Sequence, residues 1–430
     1  MIKNGGNEMK KSLFIVLTCV LLSISVFACD RKTESFNQTK TSKEKNDTKS
    51  KTKKSNVLKL SKLTSKIRKD NNLYLDIKNF TRSNNKPTHT DELNSVDYED
   101  TEVLYWVDGD TLYWYCDKDT VLCDGASGFA ESHIKNVNLD GLKFKSVRYM
   151  FNKTKNLQNV KNISLDDCED ATMMFLDVKT NNLTIENFDV SSIKDADSMF
   201  RRVECNSLKC DNLNFANINN FSGMFTDAKI ENISIKNWTI GNQFRKLYSD
   251  RTMFEDFETK KLDLSTWDVS SINDFSYFFY GCNAEELLLN GWNVSNGEKF
   301  NNMFDYSKCK TIDISNWDMS NAKDTSKMFN CCFNLKNIDV SRWDVSKVEN
   351  MYGMFSSCSA LNSLKINNWN VSRCLDFSYF FSDSRGLRST NISNWRIHPN
   401  AKLTDFYGQE LSRSAYEEKL NGLIDYSLIE

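Results

Sequence analysis

Three histidines and thirteen cysteines are the residues of this 430-residue chain best suited to acid–base, metal or redox chemistry. His89, His133 and His398 lie far apart, and none has a second ligand at metal-binding spacing. No nucleophile elbow, phosphate loop or Cys-x-x-Cys pair accompanies them, so catalysis is not expected and no metal or cofactor is assigned. Cys116 and Cys123 are the candidates for a disulfide. Cys282, Cys332 and Cys358 recur at one repeat position. Strands about 4.8 Å apart would allow a Cys332–Cys358 bridge, although buried free thiols are the preferred reading. A carboxylate or amide also recurs, at Asp268, Asn293, Asp318, Asp344 and Asn370. Stacked carboxylates can hold Ca²⁺, but the interleaved amides dilute the charge, and such side chains at turns ordinarily bond nearby backbone.

What must position these residues is an internal repeat. Its clearest copy is Leu335-x-x-Ile338-x-Val340-x-x-Trp343-Asp344-Val345-Ser346-x-Val348-x-x-Met351-x-x-Met354-Phe355. The tryptophan place is filled by Phe188, Leu213, Trp238, Trp267, Trp292, Trp317, Trp343, Trp369 and Trp395. The terminal aromatic is filled by Phe151, Phe175, Phe200, Phe225, Phe254, Phe279, Phe304, Phe329, Phe355 and Phe381, with one insertion around Gly241 to Asp250. A period of 25 or 26 residues held this long marks a solenoid.

Within a copy, Ile338-x-Val340 alternates like a short strand, while Val348, Met351 and Phe355 share one helical face. Ser346, with Glu349 three residues on, reads as a capping box between them, and Ser191, Ser270, Ser295, Ser320 and Ser372 hold the same place. One coil cannot bury enough apolar surface to fold alone, so coils must stack. The expectation is an α/β repeat solenoid, leucine-rich-repeat-like, over residues 134–406. About ten coils would carry parallel strands on one face and short helical or 3₁₀ segments on the other, capped at both ends. The N-terminal cap, within residues 57–133, would be an aromatic hairpin over 103–116 turning at Asp108-Gly109-Asp110. The C-terminal cap, residues 407–430, would be a helix with Tyr416, Leu420 and Leu423 on one side.

Residues 1–28 read as a signal peptide, with Lys10 and Lys11 before an apolar run from Leu13 to Ala28. The ending Val26-Phe27-Ala28-Cys29 resembles the lipobox of bacterial lipoproteins, which implies lipid attachment at Cys29. Residues 29–56 are polar and read as a disordered tether. The repeat unit itself resembles the bacterial surface-protein 26-residue repeat of mycoplasma lipoproteins and BspA-like proteins, over about Ile134 to Phe406. That resemblance implies a leucine-rich-repeat-like solenoid at the cell surface, with adhesion as the role linked to BspA-like members.

A formal net charge of −2 and the lack of a basic array argue against nucleic acid as a partner. No small-molecule substrate is expected. The expected partners are the membrane, through the N-terminal lipid, and an unidentified protein or glycan on host or neighbouring cells. The expected location is the bacterial cell envelope, at the outer membrane if the cell has one. Outward strand positions Ser234, Asp263, Leu288, Asp313, Asp339 and Lys365 form the candidate ligand face of a non-catalytic, adhesin-like protein. The alternatives are a coat lipoprotein without a fixed ligand and an envelope enzyme with its site in residues 57–133.

Overall fold

The computed structural model describes residues 57–62, 64, 76–88, 94–241, 252–408 and 420–429, all within one compact unit. The signal segment, Cys29, the tether, His89, Tyr416 and residues 242–251 of the insertion lie outside them.

The chain opens with β1 (Leu58–Lys59), β2 (Asn79–Arg82), β3 (Asn94–Tyr98), β4 (Thr101–Asp108), β5 (Thr111–Tyr115) and β6 (Val121–Asp124). Strands β3, β4 and β5 form an antiparallel meander, with Gly109 at φ +56° in the β4–β5 turn. Tyr105 and Trp114 are buried beneath it. The Arg82 guanidinium lies over the Trp114 ring and donates to the carbonyls of Cys116, Lys118 and Asp119, tying the meander to the following loop.

The repeats contribute β7 (Asn136–Asn138), β8 (Leu142–Ser146), β9 (Asn159–Ser164), β10 (Asn182–Asp189), β11 (Glu204–Lys209) and β12 (Asn214–Phe215). They continue with β13 (Lys229–Ser234), β14 (Thr239–Ile240), β15 (Glu258–Asp263), β16 (Asn283–Leu288) and β17 (Thr311–Asp313). One sheet runs β17-β16-β15-β13-β11-β10-β9-β7 in parallel, then through β2 into β5-β4-β3. β2 is parallel to both β7 and β5, so it joins the meander to the repeat ladder.

The fold is thus a parallel β-solenoid, and the expected α/β character is corrected: the segments expected to be helical are turns. In the coil around Phe355, the N–H groups of Met351, Gly353, Phe355 and Ser357 donate to Asp376, Ser378, Phe380 and Ser382 of the next coil at 2.7–3.0 Å. An α-helix needs those donors for its own i−4 carbonyls. Between them, Met354 and Ser356 close i−3 turns. Every coil also places residues in the left-handed region, such as Gly353 and Ser357 at φ +58°, which no right-handed helix accommodates. The capping box is corrected with it: the Ser346 N–H is received by Asp344 Oδ1 at 3.0 Å, an Asx turn.

The picture of ten uniform coils is also corrected. Strand pairing proceeds by seven steps from β7 to β17 and then gives way to single bridges such as Thr311↔Asn337. The change coincides with coil length, which rises from 25 to 26 residues after Phe329. The longer coils enter the strand place through a tight turn, Leu335 N–H to Cys332 O at 3.2 Å and Leu361 to Cys358 at 3.1 Å. The strand place of the first longer coil then pairs through Thr311↔Asn337 rather than through a described strand. At the far end, residues 409–419 of the expected helix fall outside the described residues. Ile424 forms a parallel bridge with Ile397, and residues Tyr426–Ile429 form a 3₁₀ turn.

Two aromatic columns fill the interior. Phe129, Phe151, Phe175, Phe200 and Phe225 stack at 5.1–5.5 Å, and the column continues through Phe254 to Phe355. The indoles of Trp238, Trp267, Trp292, Trp317, Trp343, Trp369 and Trp395 form the second, at 5.0–6.4 Å. Each is also a tie. Trp292 Nε1 donates to Leu264 O at 2.8 Å, Trp317 to Leu289 O at 3.0 Å and Trp395 to Ile366 O at 2.8 Å, one coil back. Trp343 Nε1 is buried without an acceptor.

Trp317→Phe should therefore destabilise more than Trp343→Phe, by about 1 kcal/mol for the lost hydrogen bond, read as a lower urea midpoint. At Gly353 an added Cβ meets nothing nearer than 3.5 Å, so φ alone limits substitution. Gly353→Val should cost at least about 1–2 kcal/mol, and Gly353→Asn much less, in the same measurement.

Candidate functional site

The repeat leaves two surfaces free to vary: outward strand positions and the turns around the terminal phenylalanines. On the strand face, pairing registers Lys209 with Ser234, and Asp263 with Leu288 and Asp313. These residues do form rows. Asp339 and Lys365 lie beyond the last strand, both exposed.

The carboxylates of this face are engaged with their own backbone. Asp263 Oδ1 accepts from the Ser265 N–H and hydroxyl at 3.1 and 2.6 Å, and Asp339 Oδ1 from those of Ser341 at 3.0 and 2.7 Å. Asp313 holds Ser315 in the same way. The hydrogen bonds from Ser341 keep the Asp339 carboxyl below the usual carboxylate range. Ser234 donates to Asp211 at 2.7 Å. Neighbouring outward positions form ion pairs between coils, Lys161–Glu186 at 3.0 Å and Lys310–Glu285 at 2.8 Å among them. Such exposed pairs are each worth under about 1 kcal/mol, but they occupy the groups a ligand would otherwise meet.

The Asp268, Asn293, Asp318, Asp344 and Asn370 row likewise closes Asx turns on Ser270, Ser295, Ser320, Ser346 and Ser372 at 3.0–3.2 Å. Among the described residues no cluster of three or more metal-ligating side chains is present. His133 is half-buried, and His398 Nδ1 accepts from the Asn400 N–H at 3.1 Å.

The structure has no disulfide at either candidate pair, free thiols being the reading preferred for Cys332 and Cys358. Cys116 and Cys123 are both buried and free. Cys116 follows β5, which β2 and β4 flank, whereas Cys123 lies in β6, which β1 and β8 flank, so strand pairing does not set them side by side. Cys332 and Cys358 are also free, and their thiols donate to Phe304 O and Phe329 O at 3.1 and 3.0 Å. The hydroxyls of Thr154 and Ser384 make the same bond to Phe129 O and Phe355 O. The column therefore selects a small donor, and burial holds the Cys332 and Cys358 thiols protonated.

Two features escaped the sequence reading. Asn162, Asn187 and Asn237 adopt positive φ and hydrogen-bond side chain to side chain with Asn138, Asn162 and Asn212, each at 2.8 Å. Asn162, Asn187 and Asn212 of this ladder line a groove together with Asp140, Lys143 and Asp166. The second feature is a cluster on the turn face. Tyr277 and Tyr280 pack at 5.9 Å and Tyr280 and Tyr306 at 5.7 Å. Asp305 is buried beside them, accepting from Asn302 and Asn330 Nδ2 at 2.7 and 2.8 Å. Burial pushes the Asp305 carboxyl up to about 6 and Tyr280 up to about 12. Only the repeated period could have shown that Tyr280 and Tyr306, 26 residues apart, are neighbours.

A family model described as a Mycoplasma protein of unknown function, DUF285, matches three times, over residues 145–250, 248–338 and 305–415. No curated protein and no solved structure matches the chain.

Asp305 supplies a pH test of this cluster. Its folded value lies above the ordinary 3.8, so the folded state holds the extra proton between about pH 4 and 6. Stability should fall as pH rises through that window and level off above it. Asp305→Ser, the residue type at the equivalent Ser356, should flatten the slope in urea titrations at pH 4, 5, 6 and 7.

Proposed function

The chain belongs to the Mycoplasma family of unknown function DUF285, and we propose that it is a lipid-anchored envelope protein whose solenoid binds another macromolecule without a catalytic step. The observation that carries the binding role is the separation of duties within each coil. Phe, Trp, the Asx turns and the inter-coil N–H groups fix the backbone, leaving exposed positions whose identity the ladder does not dictate. Rigid arrays of this kind present an extended contact surface at small entropic cost.

Anchoring rests on the order of charge, apolar run, Ala28 and Cys29. Acyl carbons contribute about 0.8 kcal/mol each once buried in a bilayer, and two or more chains hold a protein on the membrane. Any ligand on this reading lies outside the cytoplasm. The repeat's likeness to BspA-like surface proteins favours a host or neighbouring-cell protein or glycan over a soluble metabolite.

In the native host, the mature protein should begin at Cys29 with a mass increment of diacylglycerol or more. Protease applied to intact cells should remove its repeats. Cys29→Ser should release the protein from the membrane fraction. A mature N-terminus elsewhere, or full protection from external protease, would refute the reading.

A further inference from the structure

The turn face changes character along the array although its backbone does not. Left-handed residues at one repeat position run Glu131, Lys153, Asp177, Arg202, Asp227 and Asp256 in the first coils. Their charges pair between coils, Arg202 with Asp177 at 2.5 Å and Lys153 with Glu131 at 3.9 Å. That is an ordinary solvated face. The next four coils hold Gly281, Tyr306, Cys331 and Ser357 at this position, and charge returns at Asp383.

Tyrosines gather where the charges stop. Tyr277, Tyr280 and Tyr306 form the cluster described above. Tyr352 contacts Tyr379 at 5.5 Å, and the Lys327 ammonium lies over the Tyr352 ring at 5.6 Å. Tyr306 and Phe333 are 45% and 51% exposed. Between the rings stand Ser276, Asn302, Ser326, Asn330, Gly353 and Ser356. Tyr, Ser, Gly and Asn are the set that makes antibody paratopes adhesive: rigid amphipathic rings among small hydrogen-bonding groups. Loss of charge and gain of aromatics also distinguish interface centres from ordinary surface.

We propose that the turn face from Ser276 to Tyr379 is a docking surface for a folded protein partner whose own contact surface carries little charge. This rests on the extracellular binding role proposed above. A polyanion would need basic groups, and the cluster supplies Lys327 beside a buried Asp305 carboxylate. The rings pack tilted against one another at 45–59°, so part of each pair's ring surface is already used, which favours an amphipathic protein surface over stacking of a sugar ring.

The test is surface plasmon resonance of the full chain against immobilised fibronectin, fibrinogen, type I collagen and mucin, the last with and without its glycans. Two variants are compared. Tyr277→Asn/Tyr280→Ser/Tyr306→Ser/Tyr352→Ser uses residue types that other coils carry at those positions, Asn302, Ser356, Ser357 and Ser378. Asp313→Ala/Asp339→Ala/Lys365→Ala alters the strand face. The tyrosine variant should weaken binding at least about tenfold while the strand variant binds as wild type. Ser356→Glu, which places a charge in the patch without removing a ring, should also weaken it, and guards against misfolding of the quadruple variant. Loss in the strand variant alone would overturn this assignment and leave the binding role standing. Binding that follows the mucin glycans would overturn the protein partner. Failure of the wild type to bind any of the four would overturn the binding role and the docking surface together.

Discussion

The structure depends on one arrangement of backbone donors: alternate N–H groups of each turn leave their own coil and meet carbonyls of the next. Phe175 to Met199, Phe200 to Met224, Phe279 to Met303 and Phe304 to Met328 are successive rungs at 2.8–2.9 Å. A buried N–H without a partner is costly, so a coil is completed only by its successor. The left-handed residues follow from the same demand, since they turn alternate amides outward. Those positions strain Tyr, Lys and Met, and the strain persists because ring stacking and the rungs on both sides over-determine the path.

The interior columns serve this geometry. Rings about 5 Å apart match the spacing that hydrogen-bonded coils impose, and edge polarity is met by ties such as Trp292 Nε1 to Leu264 O. Small donors at Thr154, Cys332, Cys358 and Ser384 perform a related task, capping carbonyls of the preceding Phe. The cysteines thus read as packing and bonding residues.

The period, the two aromatic columns and the solenoid were legible because bulky residues recur at fixed spacing. The turn conformation was not. Val348, Met351 and Phe355 face one way in a helix, yet they do so equally in a run of turns whose donors point to the next coil. Only left-handed positions separate the two, and Tyr277, Lys327 and Asp256 give no sequence sign of that conformation. The strand row was placed in register for Asp263, Leu288 and Asp313. What the alternation of residues concealed was that its aspartates accept from Ser265, Ser315 and Ser341, two residues further on.

The parallel ladder also has a mechanical consequence. Neighbouring coils are joined by rungs that lie side by side along the array, and each coil leans on its successor. A pull on one end of such an array loads the terminal rungs first, so the body should peel open coil by coil at modest force instead of resisting as a sheared block. Trp343, whose indole lacks the tie its neighbours make, marks a rung where that unzipping would advance most readily.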